Sequence, residues 1–196
     1  MKEMLAILFL AILTNNFVLV KFLGICPFLG VSKKLGTAVS MAAAVTLVMV
    51  MATAATWPIY YYLLAPNGLE YMQTIVFILV IAALVQLLEV VLHRYSSALY
   101  SALGIYLPLI TTICAVLGVT VLNITDNYTF GAAIINSLGA GIGFLLAMVL
   151  FAGVRSRLEA CDVPSSLQGL PITLIAASIV AMSFLGLGGV VENIFA

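Results

Sequence analysis

The sequence predicts an all-α membrane protein, with six transmembrane helices arranged as two inverted three-helix repeats and with helices 1 and 4 interrupted. Three observations predict it. Of 196 residues, 65% are hydrophobic and 7% are charged, against about 25% charged in a typical soluble domain. Six apolar stretches are each long enough for the roughly 20 helical residues that cross ~30 Å of hydrocarbon. Finally, "ICPFLGV" at residues 25 to 31 returns as "ICAVLGV" at residues 113 to 119.

The stretches lie near 4 to 31, 37 to 64, 71 to 92, 97 to 122, 130 to 152 and 170 to 193. Their connections carry turn chemistry: Ser32-Lys33-Lys34, Pro66-Asn67-Gly68, His93-Arg94, Asn123 to Thr129, and Arg155 to Gly169 with Pro164 inside it. Ten-residue pieces of alternating hydrophobicity, the signature of a barrel, do not occur, and long apolar runs favour helices. The N-terminus, Met1-Lys2-Glu3 followed by an apolar run, has no A-x-A-like cleavage site and reads as a retained segment. All 196 residues form a single integral membrane domain, with repeat one at about 1–92 and repeat two at about 93–196.

Charge excludes other classes. With seven Lys and Arg against seven Asp and Glu, no basic field exists to hold a nucleic acid. Three cysteines scattered through apolar sequence do not make a disulfide framework.

The cations orient the chain. Lys33, Lys34, Arg94, Arg155 and Arg157 fall in the first, third and fifth connections, while the second and fourth contain no Lys or Arg. Those odd connections are expected in the cytoplasm. Six crossings then put both termini on the outer face, with Lys2 a weak contrary signal.

The first cysteine phrase ends span one and the second lies inside span four, so the repeat unit is three spans. An odd repeat enters the membrane from the opposite side in its second copy, which relates the halves by a pseudo-two-fold axis in the membrane plane. Both spans carry breakers: Asn15-Asn16 and Gly24-Ile25-Cys26-Pro27 in one, and Gly104, Pro108 and Thr111-Thr112 before Cys114 in the other. Pro removes a backbone donor and clashes with the preceding turn, so each span is expected to split into half-helices. Interrupted spans at matching positions point to a functional site in this architecture.

A cysteine in apolar sequence can simply pack as a small hydrophobe. Placed symmetrically, Cys26 and Cys114 can instead supply thiolates, soft ligands suited to zinc, copper(I) or iron-sulfur clusters. Two thiolates cannot complete a four-thiolate [2Fe-2S] site, so such a site would need a second chain.

Three segments, "NNFVLVKFLGICPFLGVSKKL" (15 to 35), "LPLITTICAVLGV" (107 to 119) and "DVPSSLQG" (162 to 169), resemble the A subunits of the Rnf complex, the ion-translocating ferredoxin:NAD oxidoreductase. They are also similar to the related E subunits of the sodium-translocating NADH:quinone oxidoreductase. The resemblance runs along essentially the whole chain. It implies a six-helix subunit in a bacterial cytoplasmic (inner) membrane, paired with a homologous six-helix subunit of opposite orientation. It further implies that Cys26 and Cys114 are iron ligands, that two partner cysteines complete one intramembrane [2Fe-2S] cluster, and that this cluster passes electrons between flavin and iron-sulfur subunits on the two faces. The chain would then be part of a redox-driven ion translocase, with no catalytic residue of its own. The alternative is a secondary transporter or ion channel subunit of the same fold, with purely structural cysteines.

Other marked residues read more simply. Cys161 lies outside the repeat in a cytoplasmic connection and is read as a non-ligand. Lys21 reads as a side chain snorkelling to the cytoplasmic surface. Glu89 reads as an i,i+4 partner of His93. "GAGIG" (139 to 143) and "GLGG" (186 to 189) read as close-packing glycines of membrane helices. Asn123-Ile124-Thr125 and Asn127-Tyr128-Thr129 match glycosylation sequons that a bacterial host would leave unused.

Overall fold

The structure, a computed structural model, describes residues 7–8, 11–12, 16–25, 35–95, 113–158, 161, 164 and 167–195. Five helices organise them. Helix α1 (Leu35–Ile59) runs on through a π-helical turn (Tyr60–Leu64) and a short helical turn (Ala65–Asn67). After a 3-10 turn (Glu70–Met72) come α2 (Gln73–Tyr95), α3 (Cys114–Thr125), α4 (Phe130–Leu158) and α5 (Leu170–Phe195). No strand occurs among the described residues.

Three segments are long and apolar enough to cross a membrane: Leu35–Asn67, Glu70–Val91 and Phe130–Leu158. At 1.5 Å per residue, α4 alone reaches about 43 Å, more than the ~30 Å of hydrocarbon requires. Cys114–Thr125 and Leu170–Gly186 are shorter apolar segments. The described part of span four starts at Ile113, and residues 96–112 lie outside the described set.

These helices are apolar almost all round, so the buried face shows in the spacing of the buried residues rather than in a contrast between polar and apolar sides. On α1 it consists of Ala38, Met41, Ala42, Val45, Val48, Met49, Ala52, Thr53 and Thr56, in steps of three and four that make one stripe. The stripe packs along α4, whose buried face includes Ala133, Ser137, Ala140, Gly141, Phe144, Ala147, Met148 and Phe151. Helix α3 packs on α1 as well, α2 packs on α1 and α3, and α5 meets α4. Gly141 sits where any Cβ would overlap the Thr46 side chain. The 139 to 143 glycines are therefore packing residues, as expected. Gly186 differs, because among the described residues a Cβ there would meet nothing within 4 Å.

Large side chains on the outer faces, including Ile75, Ile78, Leu79, Leu87 and Val90 of α2 and Leu174, Ile179 and Met182 of α5, are exposed. Apolar surface of this extent suits a lipid or helix neighbour, not water.

Several helices run past their expected ends, α3 reaching Thr125. Helix α2 continues to Tyr95 and α4 to Leu158. Arg94, Arg155 and Arg157 thus sit in the last turns, where cations complement the helix dipole. Lys33 and Lys34 lie outside the described residues. Near the opposite end of α1, Pro58 has no N–H to give the Ala54 carbonyl, and the next residues widen into the π turn, where the Ala65 amide donates five residues back to Tyr60. Gly68, with φ 64°, ends the helix in the left-handed conformation.

The fourth connection meets α1 at this end. Trp57 Nε1 donates to the Tyr128 carbonyl at 3.1 Å. The Trp57 ring lies 4.4 Å from that of Tyr61 and 5.3 Å from that of Phe130, centroid to centroid. Aromatic rings of this kind concentrate at membrane-water boundaries. Partial burial first, and the Asp126 carboxylate second, hold the Tyr128 phenol above its ordinary pKa.

Candidate metal centre

The first break is built by one amide. Asn16 is fully buried (0% exposed), and its Oδ1 accepts hydrogen bonds from the amides of Val18 (3.1 Å) and Leu19 (3.3 Å). A side chain that binds amides two and three positions on competes with the helix for them, which turns the chain. Asn16 Nδ2 donates to the Gly143 carbonyl on α4 at 2.9 Å and to the Ile12 carbonyl at 3.4 Å. The turn closes with the Val20 amide on the Asn16 carbonyl and the Leu23 amide on the Phe17 carbonyl. Span one is therefore interrupted, as its Asn and Gly residues predict. Phe22 (φ 55°) and Gly24 (φ 90°) both sit in the left-handed half of backbone space.

The second cysteine phrase opens a helix at Cys114. Ile113 is extended (ψ 112°) and buried, and α3 starts at the next residue without a side-chain cap. The sequence places Cys114 a few residues beyond its break; the structure makes it the first helical residue. Pro108 and Thr111-Thr112, on which that expectation rests, lie outside the described residues.

The break in span one touches the start of α3. The Gly24 amide donates to Cys114 Sγ at 2.9 Å. Leu23 lies over Gly118, one turn along α3 from Cys114, where an added Cβ would stand 2.6 Å from Leu23 Cδ1. Gly118 is the glycine of the second cysteine phrase, and its bare surface seats the first break.

Cys114 is exposed and free. That exposure counts against a sulfur that only fills core volume. The start of a helix and a donated amide both favour negative charge at the sulfur, as a metal-bound thiolate requires. The residues present therefore suit one ligand of a cluster open to a neighbouring chain. Cys26 lies outside the described residues, two positions after Gly24. Among the described residues no group of three or more His, Cys, Asp or Glu could hold a metal ion, so a metal here would draw further ligands from elsewhere.

The other marked residues stand apart. Cys161 is exposed, and its Sγ donates to the Arg157 carbonyl at 3.4 Å. Lys21 is exposed within the first break, and Glu89 is half-buried on α2. The His93 side chain, the expected partner of Glu89, is outside the described set.

A second polar constellation is not apparent from the sequence. Asn123, which the sequence places in a connection, is inside α3 and 1% exposed. It is therefore no glycosylation acceptor. Its Nδ2 donates to Ser137 Oγ (3.1 Å) and to the Ala133 carbonyl (3.4 Å), and its Oδ1 accepts from Asn136 Nδ2 (2.7 Å). Ser137 gives its proton to the Ala133 carbonyl at 2.8 Å, so Thr53 donates across the 2.7 Å contact between the two hydroxyls. Helices α1, α3 and α4 are thereby joined. The available signal is the pair Asn136-Ser137 in the middle of an apolar span, since intramembrane polar residues require partners.

Fold and site define an all-helical membrane protein with a thiol presented at the start of a helix. The chain belongs to the Rnf-Nqr family of membrane subunits, whose model matches residues 4–191. It is 54% identical over 193 residues to the A subunit of the ion-translocating oxidoreductase complex of Syntrophotalea carbinolica, covering 98% of this chain and 100% of the relative. It is 56% identical over 179 residues to the A subunit of the Na(+)-translocating ferredoxin:NAD(+) oxidoreductase complex of Acetobacterium woodii, covering 91% and 93%. The A subunit of the ion-translocating oxidoreductase complex of Vibrio cholerae is 50% identical over 192 residues, covering 98% and 100%.

Proposed function

We propose that this chain is the A-type membrane subunit of a redox-driven, ion-translocating ferredoxin:NAD oxidoreductase of the Rnf kind. In this reading the chain crosses a bacterial cytoplasmic membrane six times as two inverted repeats in one domain, with both termini outside. Cys26 and Cys114 supply half the ligands of a [2Fe-2S] cluster, and a homologous six-helix subunit of opposite orientation supplies the other half. When bound, such a cluster takes up and releases single electrons, which thiolate ligands and a shielded site tune.

The observation that carries the reading is the contact between the break in span one and the start of α3. A residue two positions before Cys26 donates its amide to the sulfur of Cys114. Gly24 immediately precedes the first phrase, so the approach to that phrase and the second phrase, eighty-eight residues later, are neighbours in space at that point. Exposure of Cys114 supports a site completed by another chain, and the apolar helices around it would exclude water. The full-length likeness to A subunits of ion-translocating oxidoreductase complexes supports the role in electron transport and ion translocation.

This chain's part is to hold two thiolates at matched depths and to keep water out; redox catalysis belongs to the flavin and iron-sulfur subunits of the complex. The test is chemical analysis of the purified complex and of the isolated chain. The complex should contain iron and labile sulfide beyond what its soluble subunits explain, and the chain alone as a monomer should contain neither. A full cluster on the monomer contradicts the shared site.

A further inference from the structure

Resting on the reading of Cys114 as a cluster ligand, we infer that Gly24 is a positioning residue whose backbone amide sets the charge tolerance of the Cys114 sulfur, and with it the reduction potential of the centre. Gly24 is buried and held at φ 90°, a backbone state that side chains disfavour. A Cβ at this position would stand 3.2 Å from both Ala115 Cβ and Phe144 Cε2. The conformation and the tight space therefore both favour glycine where the amide reaches the sulfur.

The surroundings fix that amide from two sides. Helix α4 holds the break at both ends through adjacent residues: the Gly143 carbonyl accepts from Asn16, and the Phe144 ring closes over Gly24. Helix α3 receives Leu23 on Gly118, within the same short helix that presents Cys114. The donor is thus aimed by packing rather than by a flexible side chain. An N–H directed at a ligand sulfur stabilises the reduced, more negative state of a cluster and raises its potential. Gly24 would also tie the two halves together, because any shift of the first break changes the field at the ligand from the second.

The test is an EPR-monitored redox titration of the purified complex, with iron content measured alongside. Gly24→Ala should retain the centre but move its midpoint lower. At the wild-type midpoint the ratio of reduced to oxidised centre should fall about threefold to tenfold, a tenfold change being about 59 mV for one electron. Gly118→Ala perturbs the same amide through the flexible end of Leu23, leaves the Gly24 backbone alone, and should move the midpoint in the same direction by less. Should Gly24→Ala fail to assemble, Gly118→Ala decides. An unchanged midpoint, with the signal still lost in Cys114→Ser, overturns the positioning role and leaves the proposed function standing. Persistence of the signal in Cys114→Ser removes the reading beneath it, and the positioning role with it.

Discussion

Asn16 and Asn123 are both buried amides in apolar sequence, yet one ends a helix and the other binds three helices together. The difference lies in where each carbonyl oxygen points. Asn16 Oδ1 takes the amides of Val18 and Leu19 from its own chain, so local helix gives way and the break becomes a fixed loop. Asn123 turns its amide toward Ser137, Asn136 and the Ala133 carbonyl, and its own helix stays intact. In a membrane both solutions satisfy the amide, but only the first makes backbone available to a site. Near Cys114 a backbone amide faces the cysteine sulfur; near Asn123 side chains alone are spent on cohesion.

Replacing Asn16 should therefore have the larger effect. Asn16→Leu strands the buried amides of Val18 and Leu19, at about 1–3 kcal/mol for each unpartnered group, so a total loss of about 2–6 kcal/mol is expected. The complex should assemble poorly and lose its membrane iron together. Normal yield and iron content would show that the break does not depend on this amide.

Asn123→Leu should cost less, about 1–2 kcal/mol, because hydrogen bonds between membrane helices average about 0.6 kcal/mol each. It should lower the thermal midpoint of the detergent-solubilised complex while leaving the redox midpoint of the centre in place. A shift in that redox midpoint would connect two regions that the comparison separates. Thr53→Val removes one donor from the same network and should cost about 0.6 kcal/mol, measurable as a smaller fall in the same thermal midpoint. Changes outside both regions should be smallest. Cys161→Ser, at an exposed site after α4, should alter stability by less than about 0.5 kcal/mol and leave iron content unchanged; loss of iron in this variant would mean that the repeat selected the wrong cysteines.

Much of this division is legible in the sequence, and the remainder is hidden for identifiable reasons. Long apolar runs locate α1, α2 and α4 because the solvent is read from composition. The break in span one is visible in Asn16 and Gly24, both poor helix residues in an otherwise apolar run. Asn123 is misplaced by sequence because Thr125, Asp126 and Asn127 follow it and together look like a connection, whereas its partners lie ten to fourteen positions on in α4. The ends of α2 and α4 fall later than the sequence suggests because His93-Arg94 and Arg155 read as surface, although a charged residue can sit in a helix's last turn at the boundary. The amide-to-sulfur contact is a tertiary fact. Nothing local in "GICP" indicates that its glycine will face the other cysteine phrase, and Gly118 looks like one more apolar-span glycine until Leu23 is seen above it.

The most direct measurement is the iron and labile sulfide content of complexes carrying Cys26→Ser, Cys114→Ser and both changes together. If the two phrases serve one shared centre, each single variant should lose one [2Fe-2S] equivalent per complex and the same EPR signal, and the double variant should lose no more. Wild-type iron, signal and electron transfer in both single variants would contradict the account and leave the cysteines of a packed transporter.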